Sequence, residues 1–395
     1  MRFITADKVF IGDGQVLTDG VLGFDQDGQI THVLSDRNDL LIPEGALEVL
    51  PGVICPGFVN AHCHLELSHL KGLLNQGTGL PSFLTEVTKL RTADSDDIQA
   101  AMAAADREMY DSGINLVGDI SNRSDSIQVK TESKIFYHTF IEVFGLVEDL
   151  AEQKMESALS ILQEFNANGL QASTSPHATY SLSDKLRRLL AEHNSDIQSP
   201  ISIHNQETES EDELFESKSG KLMETFLDFG LSMDGIMKTG KNALSSVFSD
   251  LQTKGPLLLV HNSYTNSEGM IWANDNRENL FWCSCPSANL YIELRSPKVV
   301  DWLKAGAQVC LGTDSLASNH QLSILQEMEL TKSRSPDISF EELVTMATYN
   351  GAKALGQQDH FGRLKTGTTP GIINLSGNDI DQGLITIHVK VNRLA

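Results

Sequence analysis

The run Val53-Ile-Cys-Pro-Gly-Phe-Val59 carries straight into Asn60-Ala-His62-Cys-His64-Leu-Glu66, so a short apolar stretch ends on two histidines. A brief β-branched run of this kind predicts a strand buried on both faces. Seven more follow: Ile114–Val117, Ile135–Val143, Gln171–Thr174, Ile201–Ile203, Leu257–Val260, Leu280–Cys283 and Gln308–Leu311. Between them, Asp97–Asp111, Leu150–Asn166, Asp184–His193 and Asp212–Phe229 space apolar residues three and four apart, with Asp or Ser near their starts. That spacing predicts amphipathic helices. Strands alternating with helices give an α/β fold around a parallel sheet. Eight alternations over about 300 residues fit a closed TIM-like (β/α)8 barrel better than an open doubly wound sheet. No GxGxxG follows the first strand, which speaks against a dinucleotide fold. The two ends differ in character: Phe3–Leu34 and Ile372–Val391 alternate in period two with Gly and Asp turns. The expectation is a barrel over residues 55–359, with residues 1–54 and 360–395 joining into a small composite β-sandwich domain formed by both termini.

In such a barrel the chemistry collects at the C-terminal ends of the strands. Here those ends carry His62 and His64, Ser175-Pro-His177, His204-Asn-Gln-Glu207, His261-Asn262 and Gly312-Thr-Asp314. Histidines two apart on an extended strand point the same way, about 6.5 to 7 Å apart, and can reach one ion. A lone His-x-His pair is a weak signal. With His204 and Asp314 also at strand ends, a shared metal becomes the better reading. Three imidazoles and one carboxylate suit zinc, with iron(II) or manganese as rivals, so one divalent metal ion is expected on His62, His64, His204 and Asp314. Asp314 is also a candidate general base for an attacking water. Glu207, three residues after His204, leans into the same pocket as a proton carrier. Glu209, Glu211, Asp212, Glu213 and Glu216 behind it are expected to form a solvated helix start. His261 is expected to steady developing charge, and His177 to touch substrate. The other histidines, among them His138, are read as surface or packing residues. Selectivity is expected from the segments Leu67–Ser82 and Glu209–Asp234.

The 395-residue chain carries 53 Asp plus Glu against 30 Lys plus Arg, a formal net charge of −23. A field of that sign repels phosphate backbones and anionic lipid, which sets aside nucleic acid and membrane surfaces and leaves a small-molecule substrate as the expected partner. Met1–Gly12 has neither the cationic end nor the apolar run of a signal peptide, and no stretch approaches the ~20 apolar residues of a spanning helix. A cytoplasmic protein is expected. The five cysteines are an odd count, sit mostly in apolar runs, and are expected to be reduced. Cys283-Ser-Cys285 has no second pair to complete a zinc–thiolate site.

Taken together, these stretches resemble the amidohydrolase superfamily, in particular its metal-dependent nucleoside and aminopurine deaminases and related chlorohydrolases. The resemblance runs nearly end to end. It rests on Pro56-Gly-Phe-Val-Asn-Ala-His62-Cys-His64, Ser175-Pro-His177-Ala-Thr-Tyr, Ile203-His204-Asn-Gln-Glu207, Leu259-Val-His261-Asn, Cys285-Pro-Ser-Ala-Asn289, Leu311-Gly-Thr-Asp314 and Ala347-Thr-Tyr-Asn-Gly-Ala-Lys-Ala-Leu-Gly356. It implies a TIM-like barrel with a composite β domain, one metal on His62, His64, His204 and Asp314, and Glu207 and His261 handling protons. Members with two metals place a carboxylated Lys at the end of the fourth strand. Thr174-Ser-Pro-His177 has none, which favours a single ion. His64-Leu-Glu66-Leu-Ser68 and Ala288-Asn289-Leu-Tyr-Ile-Glu293 are similar to the aminodeoxyfutalosine deaminase group, a likeness by which Glu66 would line the substrate pocket. The stretch Gly367-Thr-Thr-Pro-Gly371 departs from the family's usual pattern, which bears on the β domain and not on the site. The implied function is hydrolytic release of ammonia from an aminated N-heterocycle, such as aminodeoxyfutalosine or another adenine compound. Hydrolysis of a cyclic amide, displacement of halide on the same site, and a non-catalytic scaffold are the alternatives. A homodimer is expected from base rates and from the likeness.

Overall fold

The structure, a computed structural model, describes residues 1–38, 42–381, 386 and 388–395. Eight parallel strands form its centre: β1 (Phe58–Cys63), β2 (Ile114–Ser121), β3 (Phe136–Val143), β4 (Gln171–Pro176), β5 (Ile201–Asn205), β6 (Leu257–His261), β7 (Leu280–Ser284) and β8 (Gln308–Leu311). Seven of them are buried along almost their whole length, as runs rich in Val, Ile and Leu require when both faces are covered, and β4, Gln-Ala-Ser-Thr-Ser-Pro, is buried over its last four residues. Their hydrogen bonds make two four-stranded parallel sheets in chain order, β1 to β4 and β5 to β8. At the C-terminal ends the sheets meet. Ala178 bridges His204 and Cys63 bridges Asp314, both in parallel sense. The amides of Thr313 and Asp314 donate to the His62 carbonyl at 3.0 and 3.1 Å. Asn60 reinforces this seam, donating from Nδ2 to Thr313 Oγ1 at 2.8 Å and accepting from the Thr313 amide at 3.0 Å.

Helices cover the outside of the strands and begin where the sequence supplies side-chain acceptors for their first amides. Asp94 caps Ser95–Asp111, Ser183 caps Asp184–Asn194, and Ser339 with Glu342 forms a reciprocal capping box on Phe340–Ala347. The helix expected over Asp212–Phe229 is instead two, Glu209–Ser217 and Lys221–Asp228. The break is steric and conformational: Lys218 takes a left-handed φ of 58° and Gly220 a φ of 100°. A Cβ on Gly220 would stand 2.2 Å from Glu213 Oε2.

The first expected strand, Val53–Val59, also divides. Val53–Pro56 pairs with Ile372–Leu375 and with Lys8–Val9, in a sheet that also holds Val16–Leu17 and Lys390–Arg393. Cys55 and Pro56 therefore lie with the terminal strands, and the central sheet starts at Phe58. The composite character of the terminal region is partial. Both ends of the chain build this five-stranded sheet, but the second, four-stranded sheet of Ile30–Leu34, Val21–Phe24, Arg2–Thr5 and Leu47–Val49 comes from the N-terminal end alone. The two sheets share a core of Ile4, Leu22, Phe24, Val9, Ile54 and Ile372. Within the expected strand Ile372–Val391, strand is seen at Ile372–Ser376 and from Lys390, with a short helix at Asn378–Asp381. Residues 382–385 and 387 lie outside the described residues. No helix among the described residues is long and apolar enough to cross a membrane.

Candidate active site

The strand ends bring the expected residues to one point. His64 Nε2 lies 3.2 Å from His62 Nε2 and 3.2 Å from His204 Nε2. Asp314 Oδ1 lies 3.5 Å from His62 Nε2 and 3.4 Å from His64 Nε2. Tetrahedral ligands each about 2.0 Å from an ion stand about 3.3 Å from one another, so this spacing fits a zinc-sized cation. Hydrogen bonds fix the tautomer of one imidazole: His204 Nδ1–H donates to the His177 carbonyl at 2.6 Å, which leaves Nε2 with its lone pair facing inward. Burial pushes His64 down to about 3 and His177 to about 4, and holds His204 well below the ordinary histidine value. Unprotonated ring nitrogens facing each other at this distance repel, and a cation between them removes the repulsion. Burial raises Asp314, but the His62 hydrogen bond and the surrounding imidazoles outweigh it and hold the carboxyl well below its usual range. The donor set thus fits a divalent ion.

Glu207 and His261 border this cluster. Glu207 is buried and its carboxyl is pushed well above the usual range, first by burial and then by Asp314 and Glu293. Its Oε2 stands 3.8 Å from His261 Nε2. His261 Nδ1–H donates to Asn289 Oδ1 at 2.8 Å, so Nε2 faces the site as an acceptor. His261 can therefore donate to a developing oxyanion only after taking up a proton, which refines the role expected from sequence. Backbone strain gathers at the same place. Gln206, His261, Asn262 and Asp314 adopt φ of 43°, 70°, 54° and 57°, left-handed values that L residues avoid unless their surroundings impose them.

The acids after Glu207 are not a uniformly solvated face. Glu211 is fully buried and accepts from the Gln206 and Glu207 amides at 2.9 and 2.7 Å and from Thr179 Oγ1 at 2.7 Å. Asp212 takes both contacts of Gln206 Nε2 and the Ala243 amide. Glu211 turns inward because the amides of Gln206, at a left-handed φ, and of Glu207 have no strand or helix partner, and Asp212 because it takes the Gln206 side-chain amide and the Ala243 amide. His138 likewise lies on β3, buried against Ser173 Oγ at 2.9 Å, in a packing role.

Above the cluster opens a cavity of about 660 Å3, lined at its floor by His64, His177, His204, Glu207, His261 and Asp314. Its walls are mostly apolar, with Leu67, Leu80, Phe83, Leu84 and Val87, Phe226, Phe229 and Leu231, and Phe144 and Tyr180. Both segments expected to set selectivity contribute. Glu66 also lines the cavity; its carboxyl accepts from the Asn122 amide at 2.9 Å and pairs with Arg91 at 3.3 Å, while burial lifts it to about 7. Sequence reasoning missed Arg91, Asn122 and Glu142 as parts of this lining, and Asn289 as the partner of His261. For Glu142 a signal existed, an acid inside the apolar end Ile141-Glu142-Val143 of a strand.

Two predictions arise here. Gly312 passes so close to the first ligand strand that an added Cβ would lie 2.8 Å from both Cys283 Sγ and His62 Cβ. Gly312→Ala should lower stability by about 1–3 kcal/mol and displace His62, seen as a lower melting temperature together with weaker zinc retention. Glu327 braces the floor from below, accepting from the Ser287 amide at 3.0 Å and Asn319 Nδ2 at 3.1 Å, and burial raises it to about 7. An acid raised on folding binds its proton more tightly in the native state, so its contribution falls as pH rises from the ordinary value toward 7. Relative to the wild type, Glu327→Gln should gain on the order of 1–3 kcal/mol between about pH 5 and about pH 7.5, whatever its constant offset. Parallel denaturation profiles at the two pH values check this.

A family model described as the amidohydrolase family matches residues 53–391. An adenosine deaminase of Helicobacter pylori is 28% identical over 309 residues, covering 77% of this chain and 74% of that protein. An aminodeoxyfutalosine deaminase of Deinococcus radiodurans is 26% identical over 382 residues, covering 93% and 88%. The crystal structure of Helicobacter pylori aminofutalosine deaminase in complex with methylthio-coformycin shares the fold with a TM-score of 0.84 at 24% identity, covering 99% of this chain and 97% of that one.

Proposed function

This chain belongs to the amidohydrolase family and is a hydrolase of carbon–nitrogen bonds, and we propose that it is a metal-dependent deaminase releasing ammonia from an adenine-type ring that carries an apolar extension. The observation that carries the reading is the meeting of His62, His64, His204 and Asp314 on one side of the cavity floor with Glu207 and His261 on the other. The bridges Cys63 to Asp314 and Ala178 to His204 support taking the eight strands as one closed barrel, with the floor at its C-terminal mouth.

His62, His64, His204 and Asp314 would hold one divalent ion, for which the nitrogen-rich set suits zinc. Such an ion, when bound, supplies Lewis acidity that makes water a nucleophile near neutral pH. Asp314, anionic and accepting from Ser318 Oγ at 2.6 Å, takes a proton from the attacking water. His261 accepts a hydrogen bond at Nε2 and orients that water. Glu207, kept neutral by burial, donates its proton to the ring nitrogen beside the attacked carbon. Asp314 passes the proton it took from water to the amino group, which leaves as ammonia, while the added hydroxyl gives its remaining proton back to Glu207 as the ring carbonyl forms. Apolar walls exclude bulk water and strengthen each of these contacts.

A cavity of about 660 Å3 lies in the range of roughly 300–1,000 Å3 that encloses drug-sized ligands, far more than one purine ring fills. Phe144, Val147, Leu150 and Phe229 stay partly exposed around its opening and favour an apolar group extending outward. The direct test is elemental analysis of the purified protein, followed on the same sample by ammonia release from aminodeoxyfutalosine, adenosine thioethers, adenosine and guanine. About one ion per chain and ammonia from an extended adenine nucleoside in preference to adenosine is the expected result. Metal without ammonia from any of them would refute deamination and favour a cyclic amide or halide substrate. No metal after reconstitution would refute the hydrolytic reading.

A further inference from the structure

The carboxyl of Glu142 has no role in the scheme above, yet it is 8% exposed and lies against the proposed metal site. Its Oε2 is anchored by Asn122 Nδ2 at 2.6 Å. Its Oε1 has no hydrogen-bond partner among the described residues and stands 3.6 Å from His204 Nδ1. A buried acceptor with no donor is rare in folded proteins and calls for a compensating interaction. One is at hand. The Nδ1–H of His204 points to the His177 carbonyl at 2.6 Å, and Glu142 Oε1 flanks that same N–H from the side. An imidazole that gives its Nε2 lone pair to a cation carries more positive charge at its Nδ1–H, where a neighbouring carboxyl oxygen stabilises it.

We propose that Glu142, held by Asn122 beside His204 Nδ1, is a positioning residue that fixes the ring of His204 and strengthens its grip on the metal. The proposal rests on the reading that His62, His64, His204 and Asp314 hold an ion. Glu142 is grouped with His177 and His204 by the mutual approach of their ligand atoms to within 4.8 Å, but the Nδ1–H of His204 is already committed to a carbonyl. That commitment makes the carboxyl a support for the imidazole and not a ligand of a second ion. The anchor is itself braced: Arg91 Nη2 donates to Asn122 Oδ1 at 3.3 Å, and the Asn122 amide is fixed by Glu66.

The experiment compares zinc binding in the wild type, Glu142→Gln and Asn122→Ala by chelator competition, with melting curves of the zinc-free and zinc-loaded forms. Glu142→Gln should weaken zinc binding by about 10- to 100-fold, the usual consequence of removing a group that orients a metal-bound histidine. The zinc-free melting temperature should hold while the rise on adding zinc shrinks. Asn122→Ala keeps the carboxyl but frees it, and should give a smaller loss of affinity. A lower zinc-free melting temperature with unchanged zinc affinity would make Glu142 a structural residue and overturn the proposal. Unchanged zinc affinity with a raised KM would make it a substrate contact and overturn the proposal equally. If Glu142→Gln does not fold, unaltered zinc affinity in Asn122→Ala is decisive against the idea. A wild type that binds no zinc fails at the earlier step, the metal reading itself.

Discussion

Glu207→Gln is expected to keep its zinc and lose activity by a factor on the order of 10² to 10⁴, the range for removing one positioned acid–base group. The substitution preserves size and most hydrogen bonding but takes away the proton to be donated. Nothing in the proposed ligand set changes, because Glu207 touches His261 Nε2 at 3.8 Å and is not grouped with the ligand atoms of His62, His64 and His204. Its backbone also stays in place, since the Glu207 amide is held by Glu211 Oε1 at 2.7 Å and not by its own side chain. The wild type should in turn lose activity as pH rises and the buried acid ionises, whereas the variant should lack that limb. Kinetic profiles of kcat/KM beside metal content check both. Full activity in Glu207→Gln would remove the residue from the mechanism.

His204→Ala has the larger consequence, because it removes one of three converging nitrogens. Zinc content should fall to near zero, ammonia release to background, and the melting temperature should no longer respond to added zinc. Asp314 would then face only two imidazoles, too few neutral nitrogens to replace the water that a cation gives up on entering a dry site. The His177 carbonyl would keep the His204 backbone amide at 2.9 Å, so the β4–β5 seam should survive, and spectroscopic signatures of secondary structure with it. A variant still holding one tightly bound ion per chain would contradict the ligand role.

Much of this was legible in the chain because strand ends have a local signature. Val, Ile and Leu runs ending on His62 and His64, His204, His261 or Asp314 mark both where a strand stops and what it presents there. Gln308–Leu311 matched its strand to the residue, and the other runs from Ile114 onward stopped short of or began within a few residues of theirs. The failures have physical causes. Val53–Val59 reads as one strand because periodicity cannot show that its two halves bond to different sheets. The Asp212–Phe229 helix breaks because Lys218 turns left-handed and Gly220 packs against Glu213, a steric demand hidden in an apolar pattern that itself continues.

The acids show the same division most sharply. Six carboxylates between Glu207 and Glu216 look alike in sequence, and a solvated helix start is the default for such a run. The fold separates them by what each one must satisfy: Glu207 enters the cavity, Glu211 turns back to the amides at the strained strand end, Asp212 takes the Gln206 side chain and the Ala243 amide, and Glu209, Glu213 and Glu216 face outward. The residue types and their strand-end spacing were enough to give an α/β fold with parallel sheets and to nominate the candidate ligand set and the proposed proton carrier, because those depend on short-range patterning and on the chemistry each side chain brings. Only the tertiary structure decided which nitrogens face each other at 3.2 Å, which carboxyls are dry, and that Glu142 stands behind His204. Those facts come from elements far apart in the chain, and burial, which raises Glu66, Glu142 and Glu207 and lowers His64, His177 and His204, exists only once they pack.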